Sequence, residues 1–284
     1  MNEQALKARL KQIAKSNNRS FNDVWSQLIL ERILVRIGKS KYYDQLIFKG
    51  GLLLAHYVEI GRETKDIDLL ATNFEISRQS IEHTFQEITS LQLPDKFEFT
   101  FSSIESLEQP HMNYPGFRVK LTVALGKMRD KIQLDIGVGD IVQPKVESLS
   151  LYHYQGKPIY EGSVSLMVYP IETIFAEKIE TVISKGSINS RMKDFHDLII
   201  LCRINDLIKV DQLKESLTNT FTNRNTTLSI PVNFSDIEIK KLQPMWSAHL
   251  RTLGPTAKEL DLPKNMADLI EELNNWLSRC KLVV

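Results

Sequence analysis

The sequence predicts an α/β (α+β) chain, with a mixed or antiparallel sheet in its first part and a mainly helical second part. Three observations predict it. Phe117 to Val123 and Lys131 to Val138 alternate apolar and polar residues, the period-two signature of half-buried strands. Gly50-Gly51 opens an apolar run, and a polar turn then leads into the short strand Asp66-Ile67-Asp68-Leu69. From Pro170 onward the apolar period becomes that of amphipathic helices. The transition falls between Gly156 and Pro170, so the expected units are 1–160 and 161–284.

Composition bounds the partners. Of 284 residues 42% are apolar and 25% charged, the balance of an ordinary globular protein. The net charge is +1, so any nucleic-acid contact must come from a local basic patch rather than from overall charge. Cys202 and Cys280 are too few for a disulfide framework or a zinc site, which fits a reducing compartment. No secretory leader and no apolar run of spanning length are legible, so the expected location is cytoplasmic, with no membrane partner.

Taken in order, Glu3 to Ser16 reads as a basic amphipathic helix, with Leu6, Leu10 and Ile13 opposite Lys7, Arg9, Lys11 and Lys15. Its cations are either a solvated face or a contribution to phosphate binding. Ser20 to Asp23 is a capping box opening a second helix that packs Val24, Leu28, Leu34 and Val35. A helix from Ile76 to Leu91 follows the acidic strand, and then a strand at Phe97 to Phe101. A loop with Pro110 and Pro115 precedes the two alternating strands, which are joined by a turn at Gly126 to Arg129. Val146 to Tyr160 is rich in turn residues. Pro170 fits the first turn of a helix through Ile183, where its missing N–H is an orphan anyway. A second helix spans Ser190 to Cys202, a loop Phe221 to Pro231, a helix follows Ser235, and the last runs from Met266 to Lys281.

Two constellations carry chemistry. Alternation along a strand puts Asp66 and Asp68 on one face. Paired carboxylates repel unless a cation sits between them, and Mg²⁺ accepts one or two carboxylates plus phosphate oxygens. Asp135 shares the polar face of its strand with Lys131, Gln133 and Gly137, so it is either an exposed acid or a third acid meeting the other two. Gly50-Gly51 at a helix start frees backbone N–H groups for an anion. Thr64 shares parity with the acids, where its hydroxyl could meet a metal-bound water or phosphate and where a phosphate would compete for Mg²⁺; Arg62 could grip a phosphate bidentately. Lys178 falls inside the apolar stripe of Ile171, Ile174, Phe175, Ile179 and Val182, whereas Glu172, Glu177 and Glu180 fall outside it. An unpaired buried ammonium is costly. Lys178 therefore either snorkels or meets a fixed anion, a triphosphate or an acid on the next helix. On that helix Asp194 flanks the packed side, Asp197 points further out as a cap or ion-pair partner, and His196 reads as exposed or structural.

A diglycine, a helix and an Asp-x-Asp strand are similar to the core of the polymerase-beta-like nucleotidyltransferases. Lys49-Gly50-Gly51-Leu52-Leu53-Leu54, Arg62-x-Thr64-x-Asp66-Ile67-Asp68-Leu69, Ala176-Glu177-Lys178-Ile179 and Arg191-x-Lys193-Asp194-x-x-Asp197-Leu198 resemble the AbiEii/AbiGii toxin family more closely. Gly50-Gly51 replaces the Gly-Ser of the wider superfamily, which removes a hydroxyl that often touches a phosphate. The resemblance implies an enzyme with an α/β nucleotidyltransferase core and a helical C-terminal part, using an NTP and Mg²⁺, two ions in all. It implies metal binding by Asp66, Asp68 and Asp135, and catalytic roles for these three with Lys178 and Asp194. Nucleotide contacts are expected from Lys49, Gly50, Gly51, Arg62, Thr64, Lys178 and Arg191. It also implies a cognate antitoxin and an RNA acceptor, notably tRNA ends. A nucleotidyltransferase or phosphotransferase acting on a protein or small molecule, and a silent partner-binding scaffold, remain the alternatives.

Overall fold

The two alternating segments pair side by side at the heart of the sheet. In the computed structural model, which describes residues 2–73, 75–107 and 116–282, they are β4 (Gly116–Leu125) and β5 (Met128–Val138), antiparallel and joined at Gly126-Lys127. Phe117, Val119, Leu121, Val123, Ile132, Leu134, Ile136 and Val138 are buried on one face, as the alternation dictates. The loop prolines Pro110 and Pro115 lie outside the described residues.

Five more strands complete a seven-stranded mixed sheet: β1 (Leu46–Lys49), β2 (Ile67–Ala71), β3 (Glu98–Leu107), β6 (Lys145–Ser150) and β9 (Ser163–Val168). The order is β3-β4-β5-β2-β1-β9-β6. The β2–β5 and β1–β9 pairs are parallel and the others antiparallel. A two-residue ribbon, β7 (His153–Tyr154) with β8 (Lys157–Pro158), lies between β6 and β9 in the chain. The segment read as turn-rich therefore holds an edge strand as well. Against the sheet lie α2 (Phe21–Lys39) and α4 (Arg78–Ser90), with α1 (Glu3–Ser16) on α2. α3 (Gly50–Tyr57) follows β1 directly. The N-cap at Ser20 forms, its hydroxyl accepting from Asp23 N at 3.1 Å, while the Asp23 carboxylate accepts from the Ser20 hydroxyl at 2.5 Å rather than closing the predicted capping box.

Two units result. One comprises Met1–His56, Thr64–Gly139 and Pro144–Tyr169; the other comprises Tyr57–Glu63, Asp140–Gln143 and Pro170–Val284. The chain passes from the first to the second at Pro170, where α5 (Ile171–Lys185) begins. The second unit continues with a 3-10 turn at Gly186–Ile188, α6 (Met192–Arg203), α7 (Val210–Asn223), α8 (Asp236–Leu253), α9 (Thr256–Glu259) and α10 (Met266–Arg279). Residues 140–143 are secured within it by Arg224, which reaches Asp140 at 3.2 Å, Glu177 at 3.2 Å and Glu180 at 2.9 Å. Glu180 and Glu172 are buried although they fall outside the apolar stripe, because Arg224 and the Lys209 backbone N–H satisfy them.

Helix α2 is buried all round, although its sequence predicts one packed face. Arg32 and Arg36, 1% and 0% exposed, converge on Asp95, itself 2% exposed. Arg36 Nη1 and Nη2 reach the two carboxylate oxygens at 2.9 and 3.0 Å, and Arg32 Nε adds a contact at 2.8 Å. Glu161 accepts a further bond from Arg32, and Phe97 N donates to Asp95 at 3.0 Å. Burial favours the neutral acid, yet Arg36 and Arg32 hold the Asp95 carboxyl below the usual range. Removing one partner of such a cluster leaves buried charge uncompensated. Asp95→Ala is expected to lose about 3–5 kcal/mol of unfolding free energy, measured by urea denaturation; a loss under about 1 kcal/mol, the value of a surface pair, would contradict this account.

Candidate active site

Register sets the site in the sheet unit. Across β4 and β5, Arg118 stands opposite Asp135. Across β5 and β2, Asp135 stands opposite Asp68. Across β2 and β1, Asp68 stands opposite Lys49. Opposed residues in neighbouring strands share a face, so Arg118, Asp135, Asp68 and Lys49 form one transverse row of cation, acid, acid and cation. Ile67 and Leu69, on the other face of β2, pair with Leu134 and Ile136 and are fully buried. The apolar alternation that builds the core thus fixes the polar row on the opposite face.

Each member is held by local structure. Gly50 has a φ of +79°, and a Cβ there would lie 2.0 Å from Asp68 Oδ2. Its glycine is required twice, by backbone conformation and by the carboxylate lying against the start of α3, whose first two residues are Gly50 and Gly51. The Lys49 ammonium donates to the Tyr169 hydroxyl at 3.2 Å and sits 4.5 Å from that ring's centroid. Arg118 Nε and Nη2 donate to Asp135 Oδ1 and Oδ2 at 2.8 and 2.7 Å, a two-point fork. Asp66 stands one residue before β2, and its Oδ1 accepts from Gln133 Nε2 at 2.9 Å. Thr64 also precedes the strand, so strand alternation does not fix its direction.

The three acids therefore come from neighbouring segments of one face, but not as a finished metal cage. Among the described residues no group of three or more His, Cys, Asp or Glu side chains is arranged to hold a metal ion. The physical reason is mutual repulsion: Asp135 and Asp66 each take a separate nitrogen donor. The donor chemistry does suit a hard divalent cation. Asp68 and Asp135 are opposed carboxylates, and the space left by the missing Gly50 side chain holds Asp68 in place.

In the helical unit, Lys178 meets acids on the next helix, one of the options its sequence position left open. Its Nζ lies 2.9 Å from Asp194 Oδ1 and 2.7 Å from Asp197 Oδ2. Asp197 does not point outward; it is 0% exposed. Arg62, expected at a phosphate, instead forks onto Asp197 at 2.8 and 2.6 Å. Arg191 Nε reaches Asp194 Oδ2 at 2.6 Å. Burial opposes the charge of Lys178, but Asp197 and Asp194 outweigh it and raise its pKa. Burial likewise opposes ionisation of Asp194 and Asp197, and their cations hold both below the usual carboxylate range. His196 is buried, with Nδ1 2.9 Å from His249 Nε2, and burial pushes its pKa down to about 4.

Sequence reasoning missed Arg118, Gln133 and Tyr169. Arg118 sat in the quoted alternating strand, on its polar face, and was legible there as a cation at the same face as Asp135. Tyr169 carries no such signal, because only the β1–β9 pairing brings it to Lys49.

A family model described as "Nucleotidyl transferase AbiEii toxin, Type IV TA system" matches residues 32–273. No curated protein matches the chain. Among solved structures, JHP933 from Helicobacter pylori aligns over 89% of this chain and 90% of its own, at 14% identity and a TM-score of 0.47. A candidate nucleotidyltransferase from H. pylori aligns over 92% and 95%, at 13% identity and a TM-score of 0.45.

The Lys178 network yields an acid-dependence. Both aspartates have depressed folded pKa values, so their stabilisation is complete above the ordinary Asp value, about 3.9, and is lost as pH falls toward the folded values. Asp197→Asn is expected to lose about 3–5 kcal/mol near neutrality. The gap from wild type should narrow below about pH 4, read from urea midpoints at several pH values. A gap that stays constant into acid would contradict the assignment.

Proposed function

The chain belongs to the AbiEii nucleotidyl transferase toxin family, a Type IV toxin–antitoxin family, and from that premise we propose that it transfers NMP from an NTP to an RNA hydroxyl. The acceptor in this reading is the 3′ end of tRNA, and the consequence is arrested translation and growth. A cognate antitoxin neutralises it. The observation that supports the reading best is the row Arg118, Asp135, Asp68 and Lys49 beside Gly50, which offers opposed carboxylates flanked by cations. That pattern suits a metal-bound triphosphate.

Asp66, Asp68 and Asp135 are the residues that would hold Mg²⁺, two ions in this reading. When bound, the metal neutralises phosphate charge and lowers the pKa of the attacking hydroxyl. The chain's own groups do the rest. Gly50 and Gly51 present backbone without side chains, so an anion can approach the start of α3. Lys49 and Arg118 supply positive charge on the same face. Lys178, Asp194 and Arg191 are assigned to the reaction through their motifs, and Thr64 to the polar approach to Asp66. Asp197 and Asp194 keep Lys178 charged, and Arg62 fixes Asp197.

Incubating the protein with α-labelled NTPs, Mg²⁺ and either total RNA or total protein tests the reading. Label is expected in RNA of tRNA size, and a fall of about 10²–10³-fold is expected in Asp68→Asn, on the scale of losing one transition-state electrostatic contact. Label in protein, or undiminished transfer by a folded Asp68→Asn variant, would overturn it.

A further inference from the structure

We propose that Arg118 is an internal counter-ion that competes with the divalent cation for Asp135, and that on metal binding it turns to the phosphates of the nucleotide. The inference rests on the reading that Asp68 and Asp135 hold the metal, and it adds a residue that the family motifs quoted above do not contain.

The geometry carries it. Arg118 takes both oxygens of Asp135, at 2.8 and 2.7 Å, and neither contact is buried: the side chains are 33% and 25% exposed. A guanidinium forked onto a carboxylate fills the same directions that a hard cation needs, and its charge repels a dication at that acid. The pair lies in the strand register, opposite across β4–β5, so displacement of the side chain leaves Arg118 anchored beside the site. Asp68 lies opposite Asp135 on the other side, so Asp135 stands between a fixed acid and a movable cation. With Asp66 beside it, the row sets three acids against two cations, so two divalent cations overload it with positive charge until a triphosphate arrives. A released guanidinium is suited to that anion, because its planar fork matches phosphate oxygens.

The contrast with the other ion pairs supports the choice. Asp95, Asp194 and Asp197 are each 2% exposed or less, so none of them can exchange partners without opening the core. The Arg118 pair reaches solvent, beside the row's other acid.

The test is Mn²⁺ binding to the full-length, nucleotide-free protein by calorimetry, followed by binding of a non-hydrolysable NTP in saturating Mn²⁺. In Arg118→Met, Mn²⁺ is expected to bind about tenfold tighter and the nucleotide about tenfold weaker, the loss of one charge-assisted hydrogen bond. Arg118→Lys, which keeps the charge, is expected to stay within about threefold of wild type for Mn²⁺, since one ammonium still pairs with the carboxylate. Unchanged or weaker Mn²⁺ binding in a folded Arg118→Met protein overturns the proposal. So does unchanged nucleotide affinity. Asp68→Asn separates this from the parent reading: loss of Mn²⁺ there with no Arg118→Met effect removes the Arg118 role alone, while undiminished Mn²⁺ binding there removes the metal assignment on which both depend.

Discussion

The register of four adjacent strands is the constraint on which the polar site depends. β4, β5, β2 and β1 are paired so that one position in each strand falls on a single line, and those positions are Arg118, Asp135, Asp68 and Lys49. A slip of one residue would turn every side chain of a strand to the other face. It would bury Asp68 among Leu134 and Ile136 and expose Ile67 and Leu69. Burying an unpaired carboxylate is costly, and exposing two aliphatic side chains forfeits roughly 1.5–3 kcal/mol each. The hydrophobic core and the acidic row are therefore two faces of one choice. Gly50 adds a local lock, since only glycine leaves the Asp68 carboxylate its place beside α3.

The helical unit solves a different problem, a buried lysine. Lys178 keeps its charge because two aspartates from one turn of α6 face it, and Arg62 and Arg191 share those aspartates in turn. Asp197 is central to the arrangement, since it bridges Lys178 to the segment carrying Arg62.

Much of this was legible before any coordinates. The alternating strands, the helix at Ile171, the lysine inside an apolar stripe that must snorkel or meet a fixed anion, and the family itself all follow from local pattern and motif. The misses share one cause: they depend on partners distant in sequence. Glu180 falls outside the apolar stripe of its helix, yet Arg224 draws it inward. Asp197 looked outward until Arg62, from a loop 135 residues away, closed on it. The helical period of α2 marks only Val24, Leu28, Leu34 and Val35 as packed, but Asp95 gathers Arg32 and Arg36 into the core as well. In each case an opposite charge from elsewhere in the chain overrides the apolar period. The edge strand β6 was hidden for a related reason: paired on one side only, it carries a weak alternation, with Leu149 its one buried residue.

The most direct measurement of the central claim is a crystal of the protein soaked with Mn²⁺ and a non-hydrolysable NTP, with anomalous scattering used to place the metal. The account predicts an anomalous peak within about 2.0–2.4 Å of carboxylate oxygens of both Asp68 and Asp135, with the triphosphate on the face that carries Lys49. A peak coordinated elsewhere, with Asp68 and Asp135 untouched, would contradict it.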